Sequence, residues 1–396
     1  MQPIHPFPAR MAPDTVVSWL DDLPPGSRVL DPMCGSGVVV RQSALRGHAV
    51  RGFDIDPLAI LMSKVWTRKG SHAGLSQAAT RLLKLARSLK RFTYTDLSWI
   101  GCCGETRDFI KYWFAEPQRS DLARLARAIE LSRQVEKTWV CNCFELALSR
   151  IIVAKTVGAS LAWDVPHSRP RKMKSQNDFD VFEGFDAAVG KLVKLLELDQ
   201  LPSGGIVRHG DCRQLRLLRA GSIDAVVTSP PYLNAINYMR GHKMALVWLG
   251  YNIPFLRDIR ANAVGTERAG IKSATEAMLA LERKVSSIRR LPQRERFMVH
   301  KFAQDARLFL KEMRRVLVSD GLLVLVLGDS NLRGVPVYNS RIFKHLALEN
   351  NFVLDEERRR PLQSKHRYLP LSSSNDALSK RMKFEIIQAY RLAESA

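Results

Sequence analysis

Residues 27–60 constrain the fold more than any other part of the chain, because strand and helix patterns alternate there. Residues 28–31 predict a short strand, and Gly35-Ser36-Gly37 predicts a tight loop after it. Residues 38–46 have a helical pattern, and residues 48–54 predict a second strand that ends in Asp54. In such a crossover unit the two strands lie parallel. The sequence therefore predicts an α/β protein.

Later segments extend the same sheet. Residues 206–209 and the run that ends at Ser229 predict two further parallel strands. A helical pattern at 302–317 precedes a buried strand at 322–327, and residues 352–354 and 384–390 predict the last, antiparallel strands. Together these elements predict a doubly wound α/β sheet.

A long stretch between the second and third strands interrupts this plan. A parallel crossover needs about a dozen residues, whereas residues 71–204 contain helical patterns such as 121–133 and 144–158. We therefore expect a discontinuous domain, 1–70 and 205–396, with a large, mainly helical insertion at 71–204. The insertion is a candidate DNA-binding or target-recognition region.

Charge and apolar content limit the class of protein. The 396 residues carry a formal net charge of +22, and 46% of them are hydrophobic, enough for a full core. So basic a chain predicts a polyanionic partner, and nucleic acid is the first candidate. No apolar leader follows the start, and the longest apolar run, near residues 322–327, is too short for a bilayer. The expected location is the cytoplasm, with no membrane partner.

Four of the six cysteines occur in two close pairs. A zinc site built from them is one interpretation, but its ligand spacing differs from that of common zinc modules. Buried, reduced cysteines are the favoured interpretation, and no metal is predicted. The four residues are Cys102, Cys103, Cys141 and Cys143.

The loop after the first strand predicts a ligand site. Its glycines allow close approach of a ligand to the backbone, but it lacks both the dinucleotide fingerprint and the Lys-Ser/Thr end of a phosphate loop. Asp54 suits the two hydroxyls of a ribose, because one carboxylate can accept both hydrogen bonds. The alternative for Asp54 is a helix N-cap, a role that Asp56 before Pro57 fits equally well.

A second motif follows the predicted strand 223–228. Ser229-Pro230-Pro231-Tyr232 places two prolines at the strand end, which removes backbone donors and holds the chain extended. Carbonyl groups, an aromatic ring and a hydroxyl then stand side by side. This arrangement suits the binding of a planar heterocycle and its amino group.

The two motifs together resemble those of S-adenosylmethionine (SAM)-dependent DNA amino-methyltransferases, in the serine-first form typical of the cytosine-N4 enzymes. The resemblance covers the first 60 residues and residues 205–235, with weaker support to residue 330. It implies a Rossmann-like SAM-dependent methyltransferase sheet, SAM as cofactor and double-stranded DNA as partner. A cognate restriction endonuclease is an optional second partner.

The same resemblance implies the cofactor-binding residues. The segment from His5 is similar to an arm that closes over the methionine part of SAM in that family. Asp31 is implied near the amino-acid end, Ile55 on the adenine face, and Asp211 and Cys212 at the adenine edge. The implied cofactor-binding set is His5, Pro6, Phe7, Arg10, Asp31, Pro32, Met33, Cys34, Gly35, Ser36, Gly37, Asp54, Ile55, Asp211 and Cys212.

The implied reaction is transfer of a methyl group to the exocyclic N4 of a flipped cytosine by direct displacement. The Ser229 hydroxyl and the Pro230 carbonyl would accept the two amino protons, and Tyr232 would stack on the base. No cysteine follows the prolines, which counts against C5 chemistry. Candidate phosphate contacts are Arg169, Arg171, Lys172, Arg240 and Lys243.

Other functions remain open at this point. Adenine-N6 methylation is the first alternative, although such enzymes usually carry Asp or Asn in place of Ser229. An RNA base N-methyltransferase and a non-catalytic DNA-binding subunit are further alternatives. A small-molecule methyltransferase is also open, but the charge of +22 has no use there.

Overall fold

A computed structural model describes residues 2–7, 11–152, 158–163, 170–233, 238–266, 275–362 and 384–393. In this part of the chain a seven-stranded sheet carries helices on both faces. Its strands are β1 (Arg28–Asp31), β2 (Ala49–Asp54), β5 (Ile206–His209), β6 (Ile223–Thr228), β7 (Leu317–Gly328), β10 (Phe352–Pro361) and β11 (Phe384–Leu392). Two small antiparallel pairs lie outside it, β3 (Ala162–Trp163) with β4 (Arg171–Lys172), and β8 (Ser330–Leu332) with β9 (Val335–Val337).

The strand order across the sheet is β10-β11-β7-β6-β1-β2-β5. β5, β2, β1, β6 and β7 run parallel to their neighbours. β11 pairs antiparallel with both β7 and β10. The two final strands were both predicted to be antiparallel, but β10 thus runs in the direction of the parallel strands and β11 alone is reversed. The predicted α/β class is confirmed.

The sheet buries both of its faces, which explains the continuous apolar runs in its strands. Leu30, Val226 and Leu323 face one apolar cluster, whereas their neighbours Val29, Val227 and Val324 face another. The first cluster packs under α13 (Gln293–Val316) and α14 (Asn339–Glu349), and the second under α1 (Asp14–Asp21) and α2 (Val38–Leu45). The parallel strands therefore end together at one edge of a rigid sheet.

The stretch between β2 and β5 is mainly helical, as predicted. Its helices are α3 (Pro57–Trp66), α4 (Leu75–Ser88), α5 (Ser98–Gly101), α6 (Gly104–Trp113), α7 (Gln118–Ser132), α8 (Thr138–Ile152) and α9 (Val181–Glu197). Helix α8 begins six residues before the expected 144–158, and residues 153–157 lie outside the described part. After β6 the chain forms α10 (Tyr238–Leu246), α11 (Ile253–Asn262) and α12 (Glu276–Lys284).

The insertion shares one apolar core with helices outside it. Buried side chains of α4, α7, α8 and α9 pack in a single cluster with those of α3 and with Met244, Trp248 and Leu256 near α10 and α11. This cluster also includes Ile4 of the N-terminal segment. The insertion is therefore packed against the elements that flank the candidate site.

Helix α13 begins nine residues before the expected start at 302. Two of the charged residues in its first turns form ion pairs. Arg296 donates three hydrogen bonds to Glu282 of α12, and Arg333 binds Glu295. These ion pairs hold the first turns of α13 against its neighbours. Among the described residues no helix combines the length and the apolar character needed to cross a membrane.

Candidate active site

The loop between β1 and α2 is held in one shape by backbone hydrogen bonds. The Cys34 amide donates to the Phe53 carbonyl at 2.9 Å, and the Gly37 amide donates to the Cys34 carbonyl at 2.7 Å. Gly37 has φ +87°, and a Cβ there would lie 2.6 Å from the Ser63 hydroxyl of α3. Only glycine fits this position without strain. The loop thus brings its backbone close to the end of β2.

Two carboxylates flank this loop, the buried Asp31 and the half-buried Asp54. Asp54, at the end of β2, accepts from the Gly35 amide on one oxygen and from the Asp56 amide on the other, both at 2.9 Å. Asp31, at the end of β1, accepts from the Thr228 hydroxyl at 2.7 Å and from the Met33 amide at 3.3 Å. Burial raises the pKa of Asp31 to about 7 and that of Asp54 to about 6. Such a pair favours a cationic ligand that compensates its negative charge.

The N-cap of α3 belongs to Asp56, not to Asp54. The Asp56 carboxylate accepts from the Leu58 amide at 2.9 Å, and Pro57 occupies the first helical position. Asp54 is therefore not required for capping. The Asp54 carboxylate has lone pairs that the hydrogen bonds from the Gly35 and Asp56 amides do not use, and these can accept from a ligand.

The raised pKa values predict how stability changes with pH. An aspartate in an unfolded chain has a pKa of about 3.9, so folded Asp31 between about pH 4 and pH 7, and folded Asp54 between about pH 4 and pH 6, hold protons that the unfolded chain has released. The free energy of unfolding should therefore fall as pH rises, by up to about 1.4 kcal/mol per pH unit for each carboxyl. Urea denaturation across this range measures it, and Asp31→Asn should give a flatter curve. Equal slopes in both proteins would contradict this assignment.

The N-terminal segment packs on the loop through Phe7. A Cβ on Gly35 would meet the Phe7 ring at 3.3 Å, so the ring packs directly on this glycine. The His5 ring bonds to the Ser149 hydroxyl of α8 at 3.0 Å, and Arg150 donates to the Ile4 carbonyl. The segment is thus anchored on the insertion. Pro6 belongs to it, and Arg10 lies outside the described residues.

Helix α10 adds two residues to this cluster that sequence reasoning missed. The Tyr238 ring stacks on Phe7 with centroids 5.2 Å apart, and the His242 ring lies 5.5 Å from Phe7. The buried His242 Nδ1 is 2.5 Å from the Asp56 carboxylate. The spacing of four residues, which places Tyr238 and His242 on one helix face, is the one signal that the sequence holds for them.

The residues after β5 lie at the same sheet edge. Asp211 binds Arg213 through both carboxylate oxygens, and Arg213 also donates to Asp305 at 2.7 Å and to the Asn262 carbonyl at 2.7 Å. Cys212 is 4% exposed and belongs to the apolar cluster under α13. Asp211 was predicted to accept from an adenine amino group. That contact would use the carboxylate lone pairs of Asp211 that do not accept from Arg213.

The Ser-Pro-Pro-Tyr motif follows β6 directly. The Ser229 hydroxyl donates to the Val326 carbonyl of β7 at 3.0 Å, so its single proton is engaged and its oxygen can only accept from a further group. Ser330 donates to the Leu233 carbonyl at 2.7 Å and holds the far end of the motif. Pro230 is buried, whereas Pro231 and Tyr232 are half-buried.

One side-chain hydrogen bond joins the two motifs. Thr228 is fully buried and is the last residue before Ser229, and its hydroxyl contacts Asp31, which begins the glycine loop. Ser229 is therefore the immediate neighbour of a residue, Thr228, that contacts the loop directly. The remaining loop residues Pro32, Ser36 and Gly37, together with Ile55 after β2, lie at the same edge of the sheet.

Two of the predicted phosphate contacts, Lys172 and Lys243, lie against helix α6. Lys172 Nζ lies 4.6 Å from the centroid of the Tyr112 ring, and Lys243 Nζ lies 5.0 Å from that of Phe109. Arg171 of β4 and Arg240 of α10 are exposed beside them. Arg169 lies outside the described residues. Of the cysteines considered for a metal, Cys141 and Cys143 are buried in α8, and the described residues contain no group of three or more metal-binding side chains.

No family model and no curated protein matches the sequence. Among solved structures, a TehB-like SAM-dependent methyltransferase from Corynebacterium glutamicum is 11% identical, with a TM-score of 0.29 over 96% of this chain and 87% of that one. A putative DNA modification methylase from Thermus thermophilus, complexed with S-adenosyl-L-methionine, is 16% identical, with a TM-score of 0.25 over 47% of this chain and 52% of that one. A geranyl diphosphate methyltransferase in complex with SAM is 8% identical, with a TM-score of 0.35 over 96% and 84%.

These similarities concern the fold and say nothing about the substrate. The predicted α/β sheet with a large, mainly helical insertion is confirmed by the strand order and the element order.

Proposed function

We propose that this protein is a SAM-dependent DNA methyltransferase that methylates the exocyclic N4 of cytosine. The observation that carries the proposal is the hydrogen bond from Thr228 to Asp31, which joins the glycine loop to the Ser-Pro-Pro-Tyr motif. A donor bound on the loop and a base bound on the motif would meet at one point of the sheet edge. Proximity of this kind is a large part of catalysis in a two-substrate reaction.

The residues around the loop fit SAM. Its sulfonium and ammonium charges would compensate Asp31 and Asp54, whose pKa values are raised because both carboxylates are removed from much of the solvent without a cation beside them. Asp54 would bind the ribose hydroxyls, and Asp31 the amino-acid end. Ile55 would pack on the adenine, and Phe7 would cover the methionine part. When bound, SAM supplies a methyl group already activated by the sulfonium.

The motif after β6 fits an amino group as acceptor. Because the Ser229 proton is engaged by Val326, the serine oxygen presents lone pairs to a substrate amine. The Pro230 carbonyl would accept the second amino proton, and Tyr232 would stack on the ring. Acceptance of both protons makes the amine lone pair more available for attack on the methyl carbon. The new N–C bond forms as the S–C bond breaks, and the surplus proton leaves to water.

DNA as substrate is supported by charge. The net charge of +22 and the lysines and arginines beside α6 and α10 fit a phosphate backbone, which a small-molecule enzyme would not need. Serine at the first position of the motif favours cytosine N4 over adenine N6, which remains the second candidate. The base would have to leave the duplex to reach the motif.

The test is product analysis. Purified protein is incubated with SAM and duplex DNA from a methylation-free host, and the digested nucleosides are analysed by mass spectrometry. We expect N4-methylcytosine, absent when SAM is omitted. N6-methyladenine would show that serine is a misleading guide to the base, with donor site and fold unaffected. Methylation of RNA alone, or of neither nucleic acid, would overturn the proposal.

A further inference from the structure

Helix α6 of the insertion carries two aromatic side chains that each hold a lysine from another element. Tyr112 holds Lys172 of β4, and Phe109 holds Lys243 of α10. The two rings are three residues apart and so lie on one side of the helix. Tyr112 is 54% exposed, so its ring and the Lys172 ammonium on it can be reached by a ligand. We call these four residues the α6 face.

Positive charge accumulates around this face. The charged groups that interact with Lys243 include three arginines, Arg260, Arg240 and Arg257, and one acid, Glu105. Glu105 is bonded to Arg257. Burial and the neighbouring arginines lower the pKa of Lys243, so its charged form lacks compensation in the free protein. An anion placed against the face would restore that balance.

Helix α10 connects this face to the candidate active site. Tyr238 and His242 point to the N-terminal segment and to Asp56, whereas Lys243 points to α6. The helix begins six residues after Tyr232, at the end of the Ser-Pro-Pro-Tyr motif. A polyanion on the α6 face would therefore lie one helix away from the residues that bind the base.

We propose that the α6 face binds the phosphate backbone of duplex DNA next to the flipped base. The aromatic rings hold the lysine side chains in position, so less side-chain freedom is lost when each ammonium meets a phosphate. The inference rests on the proposed function, because duplex DNA is chosen as the polyanion on the basis of the adjacent base-binding motif. It assigns a role to Phe109 and Tyr112, which charge alone does not indicate.

The experiment is a double-mutant cycle on Tyr112 and Lys172. Binding of a short labelled duplex is measured by fluorescence anisotropy at a series of KCl concentrations, for wild type, Tyr112→Leu, Lys172→Ala and the double variant. We expect about three- to fivefold weaker binding for Tyr112→Leu. Lys172→Ala should reduce the slope of log affinity against log salt by about 0.9, the value of one phosphate contact. The double variant should bind about as weakly as Lys172→Ala, because the ring acts through the lysine.

Two controls separate this role from general damage. Arg219→Ala removes an exposed arginine at the amino end of β6, far from the face, and should leave both affinity and salt slope unchanged. Tyr112→Phe keeps the ring and should bind DNA like the wild type. Melting temperature and SAM affinity should stay constant through the series.

The outcomes distinguish the two proposals. If wild type methylates DNA but Tyr112→Leu binds as tightly as wild type, or if the two substitutions are fully additive, the α6 face is wrong and the proposed function stands. If wild type neither binds nor methylates the duplex, the proposed function fails and the inference falls with it.

Discussion

Ser229→Ala is expected to reduce methyl transfer by at least about a hundredfold while SAM binding stays unchanged. The serine oxygen is the acceptor that the hydrogen bond to Val326 leaves available to the substrate amine. Its contribution grows as the amine becomes more acidic during the displacement, so the loss should appear in the rate of transfer. Single-turnover kinetics with saturating SAM measures that rate, and calorimetric titration measures SAM affinity.

Ser222→Ala is the matched control. Ser222 lies just before the other end of β6, and its hydroxyl also donates to a backbone carbonyl, that of Arg219, at 2.6 Å. It should transfer methyl groups at the wild-type rate. A Ser229→Ala protein that transfers methyl groups as fast as the control would remove the serine from the mechanism.

Asp54→Ala should weaken SAM binding by about a hundredfold or more. The substitution removes the acceptor of the Gly35 amide, which holds the glycine loop, and at the same time the acceptor proposed for the ribose hydroxyls. Two hydrogen bonds to a charged group are worth about 3 kcal/mol or more together. Calorimetric titration with SAM measures the loss, and methyl transfer at saturating SAM should recover in part.

Asp224→Asn serves as the control for this change. Asp224 also lies in a strand, but it binds Arg28 at the amino end of the sheet. Its neutralisation should cost little, because exposed ion pairs contribute about 1 kcal/mol or less. Equal SAM affinity in Asp54→Ala and in Asp224→Asn would place the donor site elsewhere.

The sheet and the glycine loop could be predicted from the sequence because local patterns determine them. β1 and β5 begin and end at the predicted residues, and Asp54 ends β2 as expected. The assignment of the N-cap to Asp56 also agrees with local chemistry, since the next residue is Pro57. Each of these features depends on residues that are close in sequence.

The rest depends on contacts between distant parts of the chain. The pairing of His242 with Asp56 joins residues 186 positions apart, and the Ser229 proton is engaged by a carbonyl 97 positions away. Apolar periodicity does not determine which helix lies beside which, so it could not show that Lys172 and Lys243 meet on α6. For the same reason the ion pairs in the first turns of α13 were not predicted.

The shared core of the insertion has a consequence for how such a protein can change. Helices α4, α7, α8 and α9 pack in one cluster with α3 and with residues near α10 and α11, and the N-terminal segment is tied to α8 through His5. Because of this shared core, exchange of the insertion for an unrelated one by recombination would disrupt the packing of α3, α10 and α11 as well. If the protein acts on DNA as proposed, a new sequence specificity would have to arise by substitutions on the surface of the insertion, while its interior is kept.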